Sequence, residues 1–174
     1  MAMQTIEELF EHELKDIYSA EHSLLDALEQ MAGESKDREI KKAFIQHRKE
    51  TQAQIKRLEK IFKSMGTKPQ AETCPGIEGL IKEKKLFMRE KPSEDLLEFF
   101  NIGAGQKTER YEITAYESLI DMADKLGMSD AVELLEQTLQ EEEAALNKLK
   151  MIASEFDVTE EVEQDEEEAS SSRR

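Results

Sequence analysis

The sequence predicts an all-α protein built as a four-helix bundle, and three observations support that prediction. Four long segments carry apolar residues at spacings of three and four, the pattern of an amphipathic helix. The composition is typical of helices, because 37% of the residues are charged while the chain has only 7 glycines, 3 prolines and no tryptophan. Two of the three connections between these segments are short, whereas the third is long.

Each long segment has recognisable start and stop signals. Thr5 and Glu8 form a capping-box pattern at the first start, and Ser93 precedes the third segment as a helix cap. Gly33, Gly66 and Gly127 follow the first three segments, where glycine commonly ends a helix. The predicted helices are residues 5–32, 35 or 37 to 65, 93–126 and 129–156.

The long connection joins the second and third helices and includes a short helical piece, IEGLIKEKKLFMRE, at residues 77–90. Two tight hairpins joined by one long crossover make the ferritin-like variant of the four-helix bundle. Pairing of the hairpins alone also permits a plain up-and-down bundle, but the long link argues against it. The sequence therefore predicts a ferritin-like four-helix bundle whose long crossover contains a short extra helix.

The charge of the chain is strongly negative. Lysine and arginine total 24 against 40 aspartates and glutamates, which gives a net charge of −16. Such a balance repels phosphate backbones and anionic membrane surfaces, so we expect neither nucleic-acid nor membrane binding. The last residues, 157–174, hold eight acids, two arginines and no helical periodicity. We expect a bundle domain over residues 1–156 and a disordered acidic tail after it.

Three features favour a cytoplasmic location. The N-terminal segment has early acidic residues and no apolar run, so it does not resemble a signal peptide. No stretch approaches the ~18 apolar residues of a membrane span. Cys74 is the single cysteine, which excludes an internal disulfide and fits a reducing compartment. Because Cys74 lies in a loop with proline and glycine, we expect it to be an idle surface cysteine.

Glutamates lie in the middle of three of the four apolar stripes. With residues placed about 100° apart around each helix, Glu21 lies at the centre of the first stripe and Glu142 at the centre of the fourth. Glu109 lies at the centre of the third, with Glu112 one turn further on. These carboxylates point to where the core is expected.

The second helix adds three further polar residues. Its apolar stripe runs through His47 and Gln54, and Glu50 lies on its shoulder. All of these residues stand near the midpoints of their helices. Antiparallel hairpins therefore bring them to one layer halfway along the bundle.

A layer of inward carboxylates requires compensation, because burying one unpaired carboxylate costs several kcal/mol. The alternatives are that each glutamate is solvated at the edge of its stripe or shares a proton with a neighbour. Only Arg57, two turns from Glu50, is a basic residue near the stripes. Two divalent or trivalent cations would offset the charge, and oxygen ligands with one imidazole suit iron or manganese. The predicted di-metal ligands are Glu21, His47, Glu50, Gln54, Glu109, Glu112 and Glu142.

Several other residues have simpler interpretations. In the run from Glu141 to Glu143, only the middle glutamate is expected to point inward, and its neighbours are expected to be solvated. Tyr18 and Tyr116 lie close enough on their stripes to hydrogen-bond ligands, although packing is the commoner role. The segment GAGQKT lacks the glycine before lysine and the preceding strand of a phosphate-binding loop.

Six segments resemble those of a known family, and they are TIEELF, DIYSAE, FIQHRKETQAQI, GIEGLI, QKTERYEITAYESL and TLQEEEAAL. On these segments the chain resembles the YciF-like family of bacterial stress-associated ferritin-like proteins over about residues 4–156. The resemblance implies a ferritin-like bundle with a short extra helix, a homodimer and a di-metal centre at the carboxylates.

The chain departs from classical di-iron bundles on two helices. Those bundles place a histidine three residues after a glutamate, but here Ala53 follows Glu50 and Ala145 follows Glu142. His47 and Gln54 are the only replacements within reach on the second helix.

Two function hypotheses of different classes follow. The first is a stress-related protein with a di-metal centre that oxidises ferrous iron or reduces peroxide. The second is a non-enzymatic dimeric stress or scaffold protein, with a vestigial or protonated site and an acidic interaction tail. Iron storage in a cage is a third possibility, which the charged tail disfavours because it offers no docking helix.

Overall fold

The computed structural model describes residues 2–157, and the predicted all-helical bundle is confirmed. Met1 and the predicted disordered segment from residue 158 onward lie outside the described residues. A single 3-10 turn, Met88–Glu90, follows the third helix. The helices are α1 (Ile6–Glu34), α2 (Arg38–Ser64), α3 (Pro75–Phe87), α4 (Glu94–Lys125) and α5 (Ser129–Glu155).

Local hydrogen bonds explain where the helices begin. The hydroxyl of Thr5 accepts the N–H of Glu8 while the Glu8 carboxylate accepts the N–H of Thr5, which completes the predicted capping box. The side chain of Asp37 caps α2 by accepting two backbone N–H groups. Ser93 caps α4 in the same way by accepting the N–H of Leu96.

The helix ends follow the glycine signals in two cases out of three. Gly66 and Gly127 adopt φ angles of 72° and 69°, a left-handed conformation that other residues rarely adopt. Gly33 behaves differently, because α1 continues through it to Glu34. The helix ends at Ser35, whose N–H and hydroxyl both donate to the carbonyl of Met31.

The long helices pack as two hairpins placed side by side. In the first hairpin α1 packs against α2, and in the second α4 packs against α5. The hairpins meet where α1 contacts α4 and where α2 contacts α5, while α3 lies against α1 and α4. The core between them contains the large apolar side chains Phe10, Leu14, Phe44, Phe62, Ile102 and Leu119.

The starts of α2 and α4 lie at the same end of the bundle. A Glu98 carboxylate oxygen near the start of α4 accepts the backbone N–H of Asp37 at 2.8 Å and that of Lys36. The two helices therefore run in the same direction, and the chain between them travels the length of the bundle. This is the crossover that the connection lengths predict.

The crossover helix α3 is held to the bundle by a buried polar contact. The Lys84 ammonium donates to a Glu34 carboxylate oxygen at the end of α1 and to Asn101 Oδ1 at the start of α4, the latter at 2.9 Å. Lys84 and Asn101 are both buried. A buried lysine is tolerated here because both contacts compensate its charge.

The expectation that Cys74 is a surface residue is wrong. Its side chain is 2% exposed, and its sulfur lies 3.2 Å from the Tyr111 hydroxyl, which also donates to Asp16 at 3.2 Å. Burial raises the pKa of the Cys74 thiol. The sulfur is covered because α3, which starts at Pro75, is packed against α4.

Gly76 and Gly79 offer a matched test of how α3 docks. A Cβ added at Gly76 would overlap the Tyr111 ring, whereas one at Gly79 would meet no neighbouring atom within 4 Å. We expect Gly76→Ala to destabilise the protein by about 1–3 kcal/mol, because it overpacks this contact. Gly79→Ala in the same helix should stabilise it by up to about 1 kcal/mol through helix propensity.

Urea unfolding measures both effects, and the reaction of Cys74 with Ellman's reagent in native protein reports the docking of α3 directly. We expect slow reaction in the wild type and Gly79→Ala, and faster reaction in Gly76→Ala. Equal reactivity of the two variants would contradict the close packing of Gly76 on Tyr111.

Candidate metal centre

Four helices place polar side chains in one buried layer. Glu21 comes from α1, His47 from α2, Glu109 from α4 and Glu142 from α5, and all four are buried. Glu112, one turn after Glu109, is buried as well. They face the core because each stands at the centre of an apolar stripe, which the packing of the helices buries.

Four of these residues lie close enough together to hold one ion. One ligand atom from each of His47, Glu109, Glu112 and Glu142 lies within 4.8 Å of the others. His47 Nε2 is 3.2 Å from Glu109 Oε1 and 3.5 Å from Glu142 Oε2. We call these four residues the His–Glu cluster.

Most of the cluster's oxygen atoms have no hydrogen-bond partner. Both carboxylate oxygens of Glu112 and of Glu142 are buried and unpaired, as is Oε2 of Glu109. Within residues 2–157, no lysine or arginine forms an ion pair with any of these carboxylates. Unpaired buried acceptors are rare in native proteins, and here they form a group able to coordinate a cation.

Glu21 lies at one side of the cluster and is held by a tyrosine. The Tyr116 hydroxyl donates to Glu21 Oε1, while Glu21 Oε2 is buried without a partner. Tyr116 thus bonds to a predicted ligand, which was one of the two roles considered for it. Tyr18 does not, because its hydroxyl donates to Glu59.

Glu50 lies beside His47 at a more exposed edge of the cluster. Its Oε2 is 3.5 Å from His47 Nδ1, and its Oε1 accepts a hydrogen bond of 2.8 Å from Gln46. The side chain of Glu50 is 30% exposed, in contrast to the buried cluster. The pKa of Glu50 is lowered, chiefly by its contact with His47.

Gln54 is buried beside a second polar group that the sequence did not predict. Its amide donates to Glu141 Oε2 at 3.2 Å, and its Oε1 has no partner. The Arg57 guanidinium donates hydrogen bonds of 2.7 and 2.6 Å to the same carboxylate and a further one to the Thr138 hydroxyl. Glu141 is therefore not a solvated residue, and Arg57 pairs with it rather than with Glu50.

The protonation of the cluster reflects its burial. Burial and the charge of Glu142 raise the pKa of Glu21 to about 8, against the opposing hydrogen bond from Tyr116. Burial also raises the pKa values of Glu109, Glu112 and Glu142. Without an ion, protons must therefore replace part of the missing positive charge.

The carboxylates around His47 raise the pKa of its imidazole. Burial alone would lower its pKa, but Glu109, Glu50 and Glu142 outweigh burial and raise it to about 10. A cation bound at the cluster would displace this proton, because only a neutral imidazole is a metal ligand. The donors present, carboxylate oxygens with one imidazole, fit iron or manganese.

The other sequence features lie away from this layer or have structural roles. His12 and His22 are exposed. The segment that resembles a phosphate-binding loop, residues 103–108, lies inside α4. None of the helices in the described part of the chain combines the length and the apolar character needed to cross a membrane.

Comparisons with known proteins agree with this architecture. A family model described as a domain of unknown function (DUF892) matches residues 5–164. Protein YciF of Escherichia coli is 37% identical over 154 residues, which cover 88% of this chain and 93% of that protein. The crystal structure of this stress protein superposes with a TM-score of 0.84 at 36% identity, covering 88% of this chain and 98% of the other.

Two further solved structures are similar. YcfI, a candidate structural protein from Rhodopseudomonas palustris, is 40% identical with a TM-score of 0.83, covering 86% of this chain and 96% of its own. A Xanthomonas campestris protein has the same fold at 19% identity, with a TM-score of 0.70 and coverage of 87% and 92% of the two chains. The family model and these relatives show that the chain belongs to the DUF892 family, the family of the stress protein YciF.

Proposed function

We propose that this protein binds two iron or manganese ions in the centre of the bundle and uses them in a stress-related redox reaction. One observation carries the proposal: the buried carboxylates of Glu109, Glu112 and Glu142 lie beside His47 with most of their oxygens unpaired. Burying such a group without a cation would cost several kcal/mol per charge. A bound cation supplies that compensation.

The residues divide into one inner and two outer groups. The His–Glu cluster would hold one ion, since its four ligand atoms lie within 4.8 Å of one another. Glu21 and Glu50, which lie outside the cluster, would extend the ligand set to a second ion. Gln54 retains a buried Oε1 without a partner and is the remaining neutral oxygen donor.

The bound ions would supply one-electron redox steps, for oxidation of ferrous iron or reduction of peroxide. The chain's own residues prepare the site for this chemistry. Tyr116 orients the Glu21 carboxylate through its hydrogen bond. Arg57 pairs with Glu141 and so leaves the cluster's carboxylates available to a metal. Apolar side chains of the surrounding core limit the access of water.

The relative named a stress protein supports a stress-related role. We also propose that the protein is a cytoplasmic homodimer. Light scattering of the purified full chain should give the mass of two chains. A mass of one chain, or of a cage of many chains, would contradict this proposal.

Metal content per chain is the direct test of the centre. Protein loaded with Fe(II) without oxygen, or separately with Mn(II), and then desalted should retain close to two ions per chain by elemental mass spectrometry. Glu109→Gln/Glu112→Gln removes two buried carboxylates and should retain almost none. Glu117→Gln/Glu143→Gln, which changes exposed glutamates on α4 and α5, should bind like wild type.

In the absence of metal, Glu109→Gln/Glu112→Gln should be at least as stable as the wild type, because it removes buried charges that have no hydrogen-bond partner. One ion per chain would contradict the di-metal centre and leave a mononuclear site. No retained metal would overturn metal binding, and would favour the second candidate, a non-enzymatic dimeric scaffold protein with an acidic tail. The R. palustris relative, described as a candidate structural protein, is the observation that favours this candidate.

The metal-free protein should lose stability as the pH rises from 5.5 to 8.5. The pKa of Glu21 is about 8 in the folded protein against an ordinary value of 4.5, so the folded state keeps a proton that the unfolded state releases. The pKa of His47, raised to about 10, acts in the same direction above its ordinary value of 6.5. One such proton costs about 1.4 kcal/mol per pH unit, so Glu21 alone should contribute a loss on the order of 3 kcal/mol, to which His47 adds.

Urea unfolding in the presence of a chelator at several pH values measures this slope. Glu21→Gln should reduce the slope, whereas Glu117→Gln, at an exposed position on α4, should leave it unchanged. The lowered pKa of Glu50 does not affect the test, because its contribution is lost only at pH values below this range. Stability that rises with pH over the same range would contradict the burial of ionisable glutamates in the metal-free core.

A further inference from the structure

A cavity of about 270 Å³ lies between α2 and α5 and reaches the predicted centre. Its lining includes the buried residues His47 and Glu109 as well as the exposed residues Lys42 and Lys148. The cavity therefore connects the His–Glu cluster to the surface of the bundle. Its entrance carries the ion pair of Lys148 with Glu39, whose atoms are 3.4 Å apart.

The walls of the cavity are mostly apolar. The apolar surface is formed by Ala43 and Phe44 of α2 and by Ala144, Ala145 and Leu149 of α5, and polar side chains of α2, among them Gln46 and Glu50, complete the lining. Ala145 stands three residues after Glu142, the position at which classical di-iron bundles carry a histidine. The small side chains at 144 and 145 leave space next to the centre.

Two polar atoms of residues that line the cavity can interact with a polar group of a ligand. Both His47 Nδ1 and Glu109 Oε2 are buried and make no hydrogen bond, and Glu50 Oε2 lies 3.5 Å from His47 Nδ1. A hydroxyl-type group can donate to the Glu109 oxygen and interact with the imidazole at the same time. The cavity thus combines an apolar body with a small polar end at the cluster.

We propose that this cavity binds a small organic hydroperoxide. The apolar body of the ligand would lie against Phe44, Ala145 and Leu149, and its peroxide group would lie at His47 and Glu109. The size favours a small organic molecule, because about 270 Å³ is close to the lower end of small-molecule sites, about 300 Å³, and several times the ~30 Å³ that one water takes up. Hydrogen peroxide alone would leave the apolar walls in contact with water.

This inference rests on the proposed function, because reduction of the hydroperoxide needs the metal. The reaction breaks the O–O bond and takes up two electrons, one from each of two ferrous ions, together with two protons. The products are the corresponding alcohol, one water and two ferric ions. The alcohol retains the apolar body and the hydroxyl end, so it should bind the same cavity.

The first test measures binding and needs no metal. Metal-free protein labelled with ¹⁵N is titrated with 2-phenyl-2-propanol, the alcohol formed from cumene hydroperoxide. In the wild type we expect saturable chemical-shift changes centred on residues 43–47 and 144–149. Ala145→Leu should fill the cavity and weaken binding about tenfold. Asn147→Leu adds the same side chain at an exposed position on α5 outside the cavity, and should bind like wild type.

The second test measures the reaction of protein loaded with ferrous iron. The rates of iron oxidation by cumene hydroperoxide and by hydrogen peroxide are compared in each variant. Ala145→Leu should lower the ratio of the first rate to the second about tenfold, and Asn147→Leu should leave the ratio unchanged. If circular dichroism shows that Ala145→Leu is unfolded, Ala144→Leu, which lines the same cavity, takes its place.

Absence of saturable binding in wild type would overturn the proposal, as would equal binding by the wild type and the cavity-filling variant. An unchanged rate ratio in that variant would also overturn it. Metal content is measured on the same samples. A protein that binds the alcohol but retains no iron would contradict the proposed function and not the ligand site, so the two failures are distinguishable.

Discussion

The burial of more carboxylates than the single imidazole of His47 can neutralise is the constraint on which the rest of this structure depends. Glu21, Glu109, Glu112 and Glu142 are all buried in one layer of the core. The net stability of a domain is only about 5–15 kcal/mol, so unpaired charges in that number could not be tolerated. Protons or metal ions must share the layer with them, and the bundle has to place all four helices in register around it.

The polar groups around the layer are arranged so that they do not compete for it. Arg57 is the basic residue that lies near the apolar stripe of α2, yet it donates its hydrogen bonds to Glu141 and Thr138. Lys84 is also buried, but it lies away from the carboxylate layer, where α3 packs against α1 and α4. Positive side chains thus stabilise the periphery of the core, and its centre keeps a negative potential that attracts cations.

The fold and most of the buried polar layer could be predicted from the sequence because both follow from helical periodicity. Positions about 100° apart placed Glu21, Glu109 and Glu142 in the core, and the unequal connections indicated the crossover. The pairing of Glu141 could not be predicted in this way. The direction of its Cβ suggests solvent, but the long side chain of Arg57 reaches it from another helix. The burial of Cys74 depends likewise on how α3 packs on Tyr111, which local sequence does not encode.

The contact between Glu98 and the start of α2 also bears on how the chain folds. The N–H groups of Lys36 and Asp37 are satisfied by a carboxylate that lies about sixty residues later in the chain, in the second hairpin. Without the second hairpin, these two N–H groups at the beginning of α2 therefore lack their carboxylate acceptor. Completing one hairpin requires the other to dock, which couples the two halves into a single cooperative folding unit.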